Sequence, residues 1–174
     1  SLVGSEMCIR DRLLPLMQPG CRIVNTVSCT YAIGRIEPDF FEKGRNGRFF
    51  RIPVYSNTKL ALLLFTQEFA ERLQDKDITI NASDPGIVST NMITMQAWFD
   101  PLTDILFRPF IKTPAQGAAT AIHLALSDEA KDKNGCCYAN CKKRNVSERI
   151  RHHAQQKQLW DDTEILLRQK GIRF

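Results

Sequence analysis

The sequence predicts a parallel α/β sheet flanked by helices, and three observations predict it. First, Arg22 to Ser28 and Ile78 to Ser83 are β-branched runs of strand length. Second, the strongest helical pattern in the chain, Val54 to about Gln74, lies between them. There Leu60, Leu63, Leu64, Phe69 and Leu73 recur with helical spacing, while Glu68, Glu71 and Arg72 fall outside the stripe. Third, strand and helix patterns continue to alternate downstream, the order expected of a parallel sheet. With 174 residues, 43% hydrophobic and 25% charged, the chain can build one domain around one core.

In chain order, residues 1–12 show no sustained period. They resemble a peptide translated from sequencing-adapter DNA at the edge of an assembled transcript, so the expectation is a non-native tail, with residues 13–174 forming a partial domain. Leu13 to Met17 reads as a helix end stopped by Pro19-Gly20. After the first strand, Cys29 to Pro53 is irregular and rich in Gly, Arg and Phe. A connection that long is functional or mobile, and Phe40, Phe41, Phe49 and Phe50 either touch a ligand or pin the loop to the core. Charged Asp75-Lys76-Asp77 separates the long helix from the second strand. Asp100-Pro101 offers an N-cap and a first-turn proline for a short helix presenting Trp98, Leu102, Ile105 and Leu106, which Pro109 ends. Thr113-Pro114-Ala115-Gln116 is a capping box opening a helix to about Ser127, with Ala118, Ala121 and Ala125 for close packing. A third strand is expected over Gly135 to Cys141. A polar helix follows from about Ser147, anchored by Leu159, Trp160 and Leu166 and stopped at Gly171.

Composition narrows the function classes. No apolar run approaches the length of a membrane span. The net charge of +5 is moderate. Its clusters, Arg35 to Arg51 and Lys142, Lys143, Arg144, Arg149 and Arg151, read as solvated faces, and no nucleic-acid motif accompanies them. Six cysteines include no Cys-x-x-Cys pair, and His152-His153 has no ligand spacing to any of them, so reduced thiols are expected and no metal site. The sequons at Asn81 and Asn145 carry little meaning, because the first falls in a predicted core strand.

The chemistry gathers around Tyr55-Ser56-Asn57-Thr58-Lys59. On a helix, Tyr55 and Lys59 leave the same face, one turn apart. A lone phenol titrates near pH ~10, and a neighbouring ammonium favours phenolate, so such a pair can exchange a proton nearer neutrality. Tyr-x-x-x-Lys also recurs by chance on solvated helices; its company is what matters. Upstream, a strand ends in the hydroxyl of Ser28. Downstream, the second strand runs into Pro85-Gly86-Ile87-Val88-Ser89-Thr90. Glycine there permits close backbone approach to a ligand, and proline fixes the turn. Met92, Ile93, Met95, Trp98, Phe99, Phe107 and Phe110 then form an apolar segment, suited equally to a core or to a hydrophobic ligand.

With strand–Ser28, Tyr55-x-x-x-Lys59 and strand–Pro85-Gly86–Thr90 in that order, the chain from Leu13 onward resembles the short-chain dehydrogenase/reductase family, in its retinol-dehydrogenase-like branch. The resemblance implies the C-terminal half of a doubly wound Rossmann sheet and an oxidoreductase using NADP or NAD, with NADP slightly favoured. It implies Ser28 stabilising the substrate oxygen, Tyr55 as acid/base, and Lys59 holding the nicotinamide ribose and keeping the phenol acidic. Pro85, Gly86, Ile87, Val88 and Thr90 would contact the cofactor. The same branch places a substrate lid at the Met92–Phe110 segment, which implies a hydrophobic carbonyl or alcohol substrate. Asp84 departs from the family, whose members commonly carry another residue there. The family's phosphate-binding glycine motif, its ribose selector and its helix asparagine belong upstream of Leu13, so the expectation is that this polypeptide alone folds poorly and does not turn over. Two alternatives stay open: a non-catalytic binding protein on the same scaffold, and an inactive truncation. Relatives often dimerise through the Tyr-x-x-x-Lys helix. Membrane association, and an intracellular address more exact than cytoplasm or membrane surface, depend on sequence upstream.

Overall fold

A computed structural model describes residues 7–9, 12–37, 40–41, 51–88 and 111–172. Four strands form one sheet in the order β1 (Cys21–Thr26), β2 (Ile78–Asp84), β3 (Cys137–Ala139) and β4 (Lys142–Lys143). The first three are parallel, with Thr26 level with Ser83 and Ser83 level with Tyr138; β4 runs antiparallel to β3. The third strand is therefore shorter than expected and folds back on itself. The cause is a two-residue turn, Asn140-Cys141, with both residues at positive φ (52° and 59°), the backbone that a tight hairpin needs.

Among the described residues, four α-helices accompany the sheet: α1 (Arg51–Arg72), α2 (Pro114–Leu126), α3 (Glu148–Arg151) and α4 (Gln156–Gln169). Successive β1 residues point to opposite faces. Ile23 packs with Ile78, Ile80 and α1, whereas Val24 packs with Tyr138 and Leu124 of α2. The sheet is thus covered on both sides, which is why its strands are so apolar. Residues Leu60 to Thr66 of α1 are buried all round, because β1 and β2 cover one side and α4 the other. Full burial of Leu60, Leu63 and Leu64 contributes roughly 1.5–3 kcal/mol each.

The helix boundaries follow local chemistry. The α2 capping box forms as expected: Thr113 Oγ1 accepts from Gln116 N, and Gln116 Oε1 accepts from Thr113 N. Helix α1 starts at Arg51, earlier than the expected Val54, because Pro53 falls in the first turn, where no intrahelical donor is required. Glu68, expected to face solvent, is buried at 6% exposure. Arg72 Nε (2.9 Å) and Gln156 Nε2 of α4 (3.2 Å) donate to its carboxylate. The C-terminal helix is two pieces, and Leu167 rather than Leu166 is the buried anchor beside Leu159. It ends in a Schellman turn, with Gly171 at φ 77° and Ile172 N donating to Leu167 O. Met7, within the expected tail, is 5% exposed and packs against the main core. Asn81 is 3% exposed, its side chain bonded to Lys133 O and Cys136 N, so this sequon is inaccessible in the folded chain.

Candidate active site

In an open parallel sheet, ligands bind beyond the carboxyl ends of the strands. The segment that follows β1 stays beside β2 there, as Val27 N donates to Ser83 O (2.9 Å). Ser28, at the end of β1, opens a 3-10 helix, Cys29–Ile33. Its Oγ accepts from Thr30 N at 3.5 Å, a weak bond that leaves the hydroxyl hydrogen to donate elsewhere.

Tyr55 and Lys59 stand at the start of α1, beside this strand end. Lys59 Nζ donates to Thr26 O (2.9 Å), two residues before Ser28, and lies 5.6 Å from the centre of the Tyr55 ring. The Tyr55 side is open, at 42% exposure. Two contacts tie the Ser28 segment to this turn of helix: Arg35 N donates to Asn57 Oδ1 (2.8 Å), and Gly34 sits against Ser56 and Leu60. A Cβ on Gly34 would lie 2.5 Å from Ser56 O, so only glycine allows the approach. Tyr55 and Lys59 thus stand beside the carboxyl end of β1, the end that Ser28 follows.

After β2, Asp84 begins a loop in which Gly86 adopts φ 76°. Gly86 N donates to Asp84 Oδ1 (3.0 Å), Lys112 Nζ donates to Pro85 O (2.9 Å), and Lys112 N donates to Ile87 O (2.8 Å). Val88 pairs alongside Lys112 as an isolated parallel bridge, so Val88's own N–H and C=O point to the opposite side of its backbone. Thr90 and the apolar positions Met92, Ile93, Met95, Trp98, Phe99, Phe107 and Phe110 lie outside the described residues.

Sequence reasoning missed the support behind this loop. Asp84 is 2% exposed and its Oδ2 pairs with Arg144 Nη1 at 2.8 Å, although Arg144 reads in sequence as one of a solvated basic run. Sixty positions separate the pair, and no local pattern announces it. The guanidinium also faces Tyr31, 5.9 Å from its ring centre, and Cys137 stands beside the Tyr31 phenol. Burial pushes the Tyr31 phenol up to about 12 and the Cys137 thiol up to about 11, so both are neutral at ordinary pH and neither is a nucleophile. Among the described residues no group of three or more His, Cys, Asp or Glu could hold a metal. No described helix is long and apolar enough to cross a membrane.

A model of the short chain dehydrogenase family matches residues 43–98, the segment carrying Tyr55, Lys59 and the Pro85–Val88 loop. Retinol dehydrogenase 12 of Mus musculus is 36% identical over 153 residues, covering 88% of this chain and 46% of the relative. Human retinol dehydrogenase 14 is 35% identical over 151 residues, covering 84% and 44%. Along these stretches the chain is similar to the short-chain dehydrogenase family. It spans about half the length of the curated relatives it matches. Among solved structures, a short-chain dehydrogenase of Burkholderia cenocepacia in complex with NADP superposes with a TM-score of 0.51 at 22% identity, covering 71% of this chain and 45% of the other. A blue fluorescent protein from a metagenomic library in complex with NADPH gives 0.54 at 26% identity, covering 75% and 47%. The parallel sheet with helices on both faces is therefore the short-chain dehydrogenase form of the Rossmann fold.

The residues fit a nicotinamide riboside on their donor chemistry. Lys59 offers an ammonium for ribose hydroxyls, and Val88 turns a backbone donor and acceptor away from Lys112 for a carboxamide.

Proposed function

We propose that this chain carries the catalytic half of an oxidoreductase that moves hydride between a nicotinamide cofactor and a hydrophobic alcohol or carbonyl compound. The observation that carries the reading is the placing of Lys59 against Thr26 O, with Tyr55 beside it, at the strand end that bears Ser28. When bound, a reduced nicotinamide supplies the hydride to the carbonyl carbon. Negative charge then develops on the carbonyl oxygen. The Tyr55 phenol gives its proton to that oxygen, and in the oxidative direction the phenolate takes it back. The Ser28 hydroxyl donates a hydrogen bond to the same oxygen where charge grows, which lowers the barrier more than it aids ground-state binding. Lys59 orients the ribose and sets a fixed positive charge near the phenol. The retinol dehydrogenases among its relatives support an apolar alcohol such as a retinoid as substrate class. The NADPH complex at 26% identity supports the phosphorylated cofactor over NAD.

The test uses the chain extended through its own upstream reading frame to the relatives' length. Tyr55→Phe should lower turnover on a panel of apolar aldehydes roughly 10²–10⁴-fold while dinucleotide binding persists. Unchanged turnover would remove Tyr55 from the acid/base role.

A further inference from the structure

We infer that the β3–β4 hairpin is a clamp on the nicotinamide loop, and that Asp84 with Arg144 are its positioning residues; this rests on the reading just proposed. Four observations converge on the loop from Asp84 to Val88. The Asp84 carboxylate is shut away from solvent and uses both oxygens: Oδ1 accepts from Gly86 N and Oδ2 from Arg144 Nη1. The first bond closes a small side-chain turn that holds Gly86 in its left-handed conformation. The second comes from the residue just past β4, whose own backbone N donates to Cys137 O (2.8 Å), so the guanidinium is fixed by the hairpin that carries it. On the loop's other flank, Lys112 Nζ bridges Pro85 O and Asn140 Oδ1 (2.9 and 2.6 Å), and Asn140 sits in the hairpin turn.

Between them these bonds occupy Pro85 O, Gly86 N and Ile87 O, while Pro85 has no N–H to offer. The loop therefore has little freedom, and the backbone pair it turns outward is Val88's. An Asp in this place needs a counterion, because an isolated buried carboxylate cannot keep its charge. Arg144 supplies it from a segment that touches no proposed reacting group. The pair thus acts through the loop rather than on substrate.

Two double variants separate positioning from charge. Asp84→Asn with Arg144→Met removes both charges yet keeps an oxygen for Gly86 N. Asp84→Ala with Arg144→Met removes the charges and that acceptor together. In the relatives-length protein, the first cuts the ion pair to the hairpin and should raise cofactor KM and dissociation constant severalfold, whereas the second, which also frees Gly86 N, should raise both roughly tenfold, each with kcat changed less than about twofold. The single variant Arg144→Met should raise cofactor KM, and Arg144→Lys should restore part of it. Wild-type cofactor affinity in the two double variants, both folded by circular dichroism, overturns the clamp while leaving the proposed function standing. A wild type that binds dinucleotide but reduces no carbonyl sinks the hydride-transfer reading and still allows the clamp to be read from the dissociation constants. A wild type that binds no nicotinamide dinucleotide sinks both.

Discussion

Tyr31 and Cys137 are shielded from water beside the Asp84–Arg144 pair, and that fixes how stability depends on pH. Burial raises both groups, the phenol from 10.0 to about 12 and the thiol from 9.0 to about 11, so the folded chain holds these protons more tightly than the unfolded chain does. Above pH 9 the unfolded state begins to lose the thiol proton while the folded state keeps it, so stability falls as pH rises. Thermal melting followed from pH 8 to 11 should show that decline, and Cys137→Ala should flatten its first part. A melting temperature level across the window in the unaltered protein would refute the assignment. Gly34 supplies a second residue-scale expectation. Its added methyl would press on Ser56 O at 2.5 Å and Leu60 Cβ at 2.8 Å, backbone and core that cannot step aside. Gly34→Ala should cost ~1–3 kcal/mol in denaturant unfolding.

At the scale of elements, α1 shows what the sequence could and could not reveal. Its existence, and the strands either side of it, were legible because long apolar periodicity is a local signal. The Thr113 capping box and the Gly171 stop were legible for the same reason, since each satisfies backbone groups within a few residues. Glu68 was misread because its burial depends on α4, nearly ninety positions away, whose Gln156 completes the carboxylate's bonding. The same remoteness hid Arg144 behind Asp84, and Lys112 beside Pro85. Within the candidate site, Ser28, Tyr55 and Lys59 are proposed from residue type and order, which are local signals; the support that holds the loop has no such signal. Trp160 joins α4 to α1, stacked on Phe65 with ring centres 5.0 Å apart and under Arg72 at 4.5 Å. Trp160→Ala should cost ~3 kcal/mol by chemical denaturation and loosen α4 first, visible as early hydrogen exchange over Gln156–Gln169.

For the whole molecule, sheet order carries the main consequence. Among the described residues β1 pairs with β2 and with no other strand, which makes it the edge strand of the described sheet. A polypeptide of these 174 residues expressed alone should self-associate through that edge and show no carbonyl reduction. Sedimentation velocity and an NADPH-oxidation assay check the two halves of that expectation. A monodisperse, active preparation would refute it.

Asn134 joins the central helix to the second strand, donating to Ala70 O and accepting from Ile80 N, while the next residue's N–H is tied to Ile80 O. That next residue is glycine, and an Asn-Gly step is the peptide sequence most ready to cyclise and lose its amide. In the native fold both reacting groups are held by those bonds. Hydrolytic ageing at this one position therefore proceeds chiefly while the chain is open. Deamidation read by peptide mapping at Asn134, apart from the second Asn-Gly step at Asn46-Gly47, would then serve as a slow clock, counting the time each molecule has spent unfolded.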